Sequence, residues 1–375
     1  MNQINWYEKN KTHAADWQSE AGNLPPKAVV IADDTTKADE AYRLACEGTA
    51  LLYRGDFQNA KQLLQAITRR VDRKPVKPAA TMLEAFHQHR ARQIGRANIT
   101  NKVLIELKYG QCDLPRAPDV KAAVQGAVII DEKKDKLPAR LVLSLRELLG
   151  MVGAHEWRKK GVPINALNAN IHAHYGVYSP VRGEYLDLID QAPLNNPQVA
   201  WDIGTGTGVI AAILVTRGVK QVIATDTNPR ALVCAAENIR QLNMQTNIQV
   251  VQADLFPEGK ADLIVCNPPW LAAKANTPIE QAVYDPDSQM LKGFLSGLKA
   301  HLNTSGEAWL VMSDLAELIG LRKPGELPGW IADAGLEIIQ RLDTQPKHGK
   351  AQDKQDPLFE ARSREVTSLY RLKLI

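Results

Sequence analysis

The hydrophobic positions divide the chain into regions of different rhythm. Residues 1–35 are polar, contain Pro25 and Pro26, and are expected to form a loose arm. Residues 38–53 and 56–71 carry apolar residues at helical spacing. Arg54-Gly55-Asp56 joins them, with Asp56 placed as a helix N-cap. The pair has the form of one helical hairpin, and the lack of a second copy argues against a repeat array. Lys74-Pro-Val-Lys-Pro78 breaks the pattern, and further helices are expected over 79–95 and 101–109. A charged turn from Asp131 to Lys136 precedes an amphipathic helix expected over 139–159. Two alternating runs, 162–167 and 171–178, flank Asn168-Ala-Asn170 and predict a linking hairpin.

From Gln198 the rhythm changes. Short apolar runs of β type, at 198–203, 221–226, 248–254, 261–267, 307–313, 336–343 and 366–374, alternate with helical segments. That alternation predicts a doubly wound α/β sheet. The expected organisation is a mainly α-helical domain over 1–160, a linker hairpin over 161–180, and an α/β domain over 181–375.

Composition narrows the classes. With 375 residues, 45% hydrophobic and 23% charged, the chain can build cores of ordinary size, which excludes disorder and a disulfide-stapled mini-fold. No apolar run approaches the ~20 residues of a membrane span. The first seventeen residues lack the apolar stretch of a signal peptide. Cys46, Cys112, Cys234 and Cys266 form no C-x-x-C pair, which argues against structural zinc and for a cytoplasmic protein. Residues 1–150 hold 24 Lys/Arg and 18 Asp/Glu, whereas 151–375 hold 22 and 24. The window 61–110 alone has 11 basic and 3 acidic residues. A local excess of this kind suits a polyanion-binding surface, although a solvated helix face accounts for it equally. Arg90, Arg92 and Arg96 are its candidate docking residues.

The first β run ends in Asp202-Ile-Gly204-Thr205-Gly206-Thr207-Gly208, directly before a helix. Glycines there permit a tight turn and close approach of backbone N–H groups to a ligand. The spacing is G-x-G-x-G, not the dinucleotide pattern G-x-G-x-x-G. The second run ends at Asp226, placed to accept two ribose hydroxyls, and the third at Asp254, which could accept from an adenine amine. Leu255 or Phe256 would lie against the ring. One aspartate at a strand end could merely cap the next helix, but three at successive ends beside a glycine loop argue for a nucleoside site.

On these residues the stretch 198–313 resembles the class I S-adenosylmethionine-dependent methyltransferases. The resemblance implies that Asp202 lies near the methionine part, Asp226 binds ribose and Asp254 reads adenine. Gly204, Thr205, Gly206, Gly208, Asn228 and Leu255 complete the implied cofactor set. It also implies a reversed C-terminal strand in a seven-stranded sheet, which the runs 336–343 and 366–374 fit.

The fourth run ends in Cys266-Asn267-Pro268-Pro269-Trp270. The prolines fix φ and remove two N–H donors, so the Pro268 carbonyl is held in one direction. With the Asn267 side-chain carbonyl it can accept both hydrogens of a planar amine, while Trp270 offers a flat face. Acceptors on both hydrogens favour pyramidal nitrogen and localise its lone pair. No general base is then obligatory, because orientation and charge stabilisation carry the reaction.

Asn-Pro-Pro-aromatic resembles the signature of amino-group N-methyltransferases, among them adenine N6, rRNA guanine N2 and release factor glutamine enzymes. Most glutamine enzymes carry Tyr in the fourth position, so Trp270 departs from them. Tyr178-Ser-Pro180-Val-Arg182-Gly-Glu184-Tyr185 resembles the segment that closes the cofactor pocket in release-factor-type enzymes, which makes Tyr178, Pro180 and Glu184 candidates. Specific resemblance covers roughly 171–313.

Other features are weaker. His172-x-His174 has the spacing of two ligands on one strand face, but no third ligand motif accompanies it and no metal is expected. Tyr284-Asp285-Pro286-Asp287 reads as a helix N-cap turn or as a substrate-binding segment. The polar stretch 347–354 reads as a loop, and Cys266 as a buried strand residue. The reading reached is a methyltransferase that uses S-adenosylmethionine, with an exocyclic amine of an rRNA or tRNA base as acceptor. A glutamine side chain of a translation protein is the alternative. A non-catalytic RNA-binding protein that keeps the fold is the alternative of another class.

Overall fold

The computed structural model describes residues 2–75, 77–128, 137–181, 183–346 and 352–375. The charged turn 131–136, Val76, Arg182 and most of the stretch 347–354 lie outside the described residues. The chain forms two compact units, Met1–Ala79 with His87–Glu156, and Ala80–Phe86 with Trp157–Ile375.

The first unit is not mainly helical. Its strands β1 (Gln3–Glu8), β2 (Lys11–Trp17) and β3 (Val29–Ala32) are followed by helix α1 (Ala38–Cys46), strand β4 (Ala50–Tyr53) and helices α2 (Phe57–Asp72) and α3 (Met82–Thr100). Strand β5 (Val103–Lys108), helix α4 (Lys121–Ala127), strand β6 (Arg140–Ser144) and helix α5 (Leu145–Lys160) follow. Among the described residues the strands form one mixed sheet in the order β1-β2-β6-β5-β4-β3.

Each departure has a physical cause. The supposed arm is a hairpin whose turn residues Lys9 and Asn10 both have positive φ, the requirement of a two-residue I′ turn. Ile4 and Trp6 alternate with exposed Asn5 and Tyr7, and they pack with Ala15, Trp17, Leu52, Leu104 and Val142. The helix expected over 38–53 stops at Cys46, Gly48 turns at φ +92, and Ala50–Tyr53 runs as a fully buried strand. The runs 101–109 and 139–159 also split differently, giving β5 and then β6 before α5. A buried strand of four to six apolar residues has no period that distinguishes it from a helix segment. Helix α1 begins at Ala38 as expected, and so does α2, with Asp56 accepting from the Gln58 and Asn59 amides.

In the second unit, strands β7 (Val162–Ile164) and β8 (Ala169–Ile171) pair as a short hairpin. Residues 172–178 leave the ladder, contrary to the longer strand expected over 171–178. Ile164 and Ile171 pack into the core of this unit, so the hairpin is more than a linker. Helix α6 (Glu184–Gln191), strand β9 (Val199–Ile203), helix α7 (Val209–Thr216), strand β10 (Gln221–Asp226), helix α8 (Pro229–Gln241), and strands β11 (Ile248–Gln252) and β12 (Ala261–Cys266) follow. The chain ends with helix α9 (Gln289–His301), strand β13 (Leu302–Ser313), helices α10 (Leu315–Ile319) and α11 (Glu326–Asp333), strand β14 (Leu336–Thr344), helix α12 (Phe359–Arg362) and strand β15 (Thr367–Leu374).

These strands make a second sheet in the order β11-β10-β9-β12-β13-β15-β14. It is parallel from β11 to β13, and β15 runs antiparallel to both neighbours. Central strands read as continuous apolar runs because both faces are covered. Ile213, Leu214, Ala235 and Ile239 cover one face, and Phe294, Leu298, Leu327 and Ile331 the other. The segment Ala80–Phe86 contributes Phe86 to a satellite cluster with Leu271, Leu315 and Leu358. Among the described residues no helix is long and apolar enough to cross a membrane.

Candidate functional site

Register places the chemistry-bearing residues on one edge of the second sheet. Ile203 pairs with Thr225 on one side and with Cys266 on the other. Gly204, Asp226 and Asn267 are each the next residue, so they stand at one level at the carboxyl ends of their strands. The chain turns to opposite sides of β9 here, which opens a crevice at the carboxyl ends of the strands. A cavity of about 560 Å³ occupies it.

Its floor is the glycine loop. Gly204, Gly206 and Gly208 have φ of +71°, +56° and +80°, a region that side chains with a Cβ avoid. A Cβ on Gly206 would meet nothing within 4 Å, so the loop is open toward the cavity there. Gly208 is different. It stands at the N-terminus of α7, where a Cβ would lie 3.3 Å from Ala235 of α8, and it does not line the cavity. Its glycine serves helix packing, not ligand approach.

Three carboxylates surround the loop. Asp202 is fully buried behind it and is not part of the cavity lining. Its Oδ2 accepts from Thr205 Oγ1 at 2.6 Å and from the Ala211 amide at 3.1 Å, while Oδ1 has no hydrogen-bond partner. Burial pushes this carboxyl up to about 6, although the two donors pull it down. Asp226 lines the cavity and accepts the Gly206 amide at 3.0 Å and the Asn228 amide at 2.9 Å. Burial raises its pKa as well. The Thr227 amide bonds it too, and because a carboxylate has about four acceptor sites, capacity for a hydroxyl donor remains. Asn228 lines the wall and caps α8 through Arg230 N at 3.0 Å.

Asp254 lines the cavity and is exposed. Leu255 beside it, at φ +65°, also lines the cavity and is anchored by Thr225 Oγ1 on its carbonyl at 2.8 Å. Phe256 turns away. It stacks on His301 at 4.6 Å and Phe294 at 6.0 Å between ring centroids, so Leu255 alone of the two faces the space.

Asn267, Pro268, Pro269 and Trp270 all line the same cavity. Trp270 does more than present a face, because its indole Nε1 donates to Asn267 Oδ1 at 3.0 Å. Tyr185, fully enclosed, hydrogen-bonds the same amide. Burial raises its phenol above the ordinary value, and Asn267 pulls it back. The Asn267 amide is thus held at both ends. Beyond it the cavity continues between Ile279, Val283, Tyr284, Leu315 and Arg362.

Tyr178 and Pro180 line the cavity, whereas Glu184 sits in the first turn of α6 outside it. Asp285 is a cap, with its carboxylate accepting from Met290 N at 3.0 Å and Leu291 N at 3.1 Å. His172 and His174 find other partners, Arg158 O and Glu237. Arg90, Arg92 and Arg96 lie in the first unit. Arg96 pairs with Asp72 at 2.9 Å and Arg92 donates to the Asp72 carbonyl, so part of this basic set ties α3 to the end of α2. Met290, Leu315 and Arg362 gave no motif in the sequence, and Tyr185 was part of a recognised segment without being singled out. All four reach the cavity from separate elements.

The open loop at Gly206 and the acceptor capacity left on Asp226 suit a ligand that carries hydroxyl groups, such as a ribose. Comparison with known proteins agrees in kind. Residues 168–318 match the model of the Methyltransferase small domain. A protein described as an N5-glutamine methyltransferase of Methanocaldococcus jannaschii is 29% identical over 174 residues, 44% of this chain and 86% of that protein. A release factor glutamine methyltransferase of Cereibacter sphaeroides is 32% identical over 170 residues, 39% of this chain and 61% of that protein. A tRNA1(Val) (adenine(37)-N6)-methyltransferase of Pedobacter heparinus is 28% identical over 134 residues, 32% of this chain and 57% of that protein. A solved methyltransferase from Pyrococcus furiosus aligns over 60% of this chain and 98% of its own, at 18% identity and a TM-score of 0.41. Over residues 168–318, then, this chain is similar to the methyltransferase small domain proteins.

Proposed function

We propose that the chain transfers a methyl group from S-adenosylmethionine to a planar amino nitrogen. The observation that carries this reading is the shared cavity, where the glycine loop with Asp226 and the Asn267-Pro268 acceptors face one space. Bound there, S-adenosylmethionine would supply an electrophilic methyl on a sulfonium centre. Gly204–Gly206, Asp226, Asn228, Asp254 and Leu255 are the residues to hold it, with Tyr178 and Pro180 on the opposite wall. Asn267 Oδ1 and the Pro268 carbonyl accept the amine hydrogens, and Trp270 covers one side of the amine's plane. Orientation and charge stabilisation then carry the barrier lowering, and a general base is not needed to reach the transition state.

The acceptor we assign is an exocyclic amine of an RNA base. The aromatic faces of Trp270 and Tyr284 suit a flat heterocycle, and α3 of the first unit carries Arg90 on a basic stretch. A glutamine amide in a protein is the second reading, favoured by the two relatives named for glutamine methylation. Cell extract incubated with the enzyme and methyl-labelled S-adenosylmethionine separates them. Label lost to ribonuclease supports the RNA base; label that survives ribonuclease and is lost to protease replaces it with the amide.

A further inference from the structure

We infer that Glu237 and Asn238 of α8 are positioning residues that hold two walls of the cavity against each other. Neither lines the cavity. One wall is the segment with Gly176, Val177, Tyr178 and Pro180, and the other is the glycine loop. Residues 172–178 belong to no strand or helix, so their backbone groups need partners from elsewhere. Asn238 supplies them. Its side chain is buried, Oδ1 accepts from the His172 amide at 2.9 Å, and Nδ2 donates to the His172 carbonyl at 3.3 Å. The same Nδ2 donates to the Thr207 carbonyl of the glycine loop at 3.0 Å. One amide therefore bridges both walls.

Glu237 fixes the next part of the segment. Its Oε2 meets His174 Nε2 at 2.9 Å and also pairs with Arg158. The His174 carbonyl in turn accepts the Val177 amide at 3.1 Å, which closes the turn that carries Gly176 and Val177 to the cavity. Val177 packs on Ala231 and Cys234 of the same helix. On the other side, Ala235 comes so near Gly208 that only glycine fits without displacement. One face of α8 thus contacts the loop at Gly208 and Thr207 and the segment at His172, His174 and Val177. A buried amide with its donors and acceptor all used fixes one arrangement, because each alternative leaves a buried group unpaired.

The inference rests on the reading that this cavity takes S-adenosylmethionine, and the test separates the two. S-adenosylhomocysteine, which cannot react, is titrated into the full chain as wild type, Asn238→Leu, Asn238→Gln and Glu237→Gln. Hydrogen exchange is measured beside each titration. Asn238→Leu keeps the volume and loses the bridge, so its Kd rises about tenfold or more. Asn238→Gln keeps the amide and stays within about threefold. Exchange in Asn238→Leu speeds up over residues 172–180 and 204–208, while β9 to β13 stay protected as in the wild type. Should Asn238→Leu fail to fold, Glu237→Gln shows the same localised exchange with a Kd raised about threefold. Wild-type affinity in Asn238→Leu and Glu237→Gln overturns the inference. So does equal loss in the Leu and Gln variants with exchange rising throughout the sheet, the mark of a purely structural role. Wild-type protein that binds no S-adenosylhomocysteine overturns the cofactor reading itself.

Discussion

The indole N–H of Trp270 donates to Asn267 Oδ1 at 3.0 Å, three residues away across two prolines. The bond fixes which end of the amide is oxygen. It uses one of two lone pairs and leaves the second for an amine hydrogen. Tyr, the residue most glutamine enzymes carry here, has no N–H to give.

Trp270→Phe keeps a flat ring and removes the donor. A hydrogen bond of this kind is worth about 1 kcal/mol, so methyl transfer falls roughly fivefold. Affinity for S-adenosylmethionine stays the same. Label incorporation checks the rate and calorimetric titration checks the affinity; an undiminished rate removes the orienting role of Trp270.

The carboxyl of Asp202 gives a pH dependence. Burial raises it to about 6, its neighbour Asp226 adds to the rise, and its Oδ1 is unpaired. A cationic ligand prefers the carboxylate, so binding depresses this pKa and draws off a proton wherever the free group is protonated. Affinity for S-adenosylmethionine is therefore flat above pH 6 and falls below it, by roughly tenfold between pH 7 and 5. Titrations across that range test this, with Asp202→Asn expected to flatten the profile. A flat wild-type profile contradicts it.

Asp285 caps α9 from four residues before its first turn, with both carboxylate oxygens on backbone amides. Asp285→Ala leaves those amides unpaired and costs about 1 kcal/mol. For a unit of this size that lowers Tm by about 2–4 °C in a thermal scan. An unchanged Tm shows that water or Ser288 replaces the cap.

The basic stretch of α3 is tested by neutralisation, because reversal to Glu would set new acids beside Asp72. If RNA docks there, Arg90→Gln, Arg92→Gln and Arg96→Gln together weaken RNA binding. They also flatten the dependence of log K on log salt by about two to three phosphate contacts. S-adenosylmethionine affinity is unaffected. An unchanged salt slope returns these arginines to tying α3 to α2, the role that Arg96 and Arg92 already have with Asp72.

The second unit was far more legible than the first, for physical reasons. Strands at 199–203, 221–226 and 261–266 are apolar runs that end at the glycine loop, at an aspartate and at Asn-Pro-Pro, so chemistry marks their boundaries. In the first unit Ala50–Tyr53 and the start of Val103–Lys108 are buried apolar runs with no such marker, and helix and strand look alike there. The hairpin at Lys9-Asn10 lacks the glycine that announces such turns. At the site, the loop, Asp226, Asp254 and the Asn-Pro-Pro-Trp motif were readable as motifs. Tyr185, Arg362 and the bridge made by Asn238 were not, since their meaning comes from which elements the fold brings side by side. Phe256 and Leu255 are neighbours in sequence, yet Leu255, at positive φ, lines the cavity while Phe256 stacks on His301 and Phe294.

The most direct test is a titration of S-adenosylmethionine into wild type, Asp226→Ala and Asn267→Ala, with label transfer measured on the same samples. The account predicts one site per wild-type chain and at least a tenfold weaker Kd for Asp226→Ala. It predicts nearly unchanged affinity but no transfer for Asn267→Ala. Absence of binding to the wild type, or a large loss of affinity in Asn267→Ala, would contradict it.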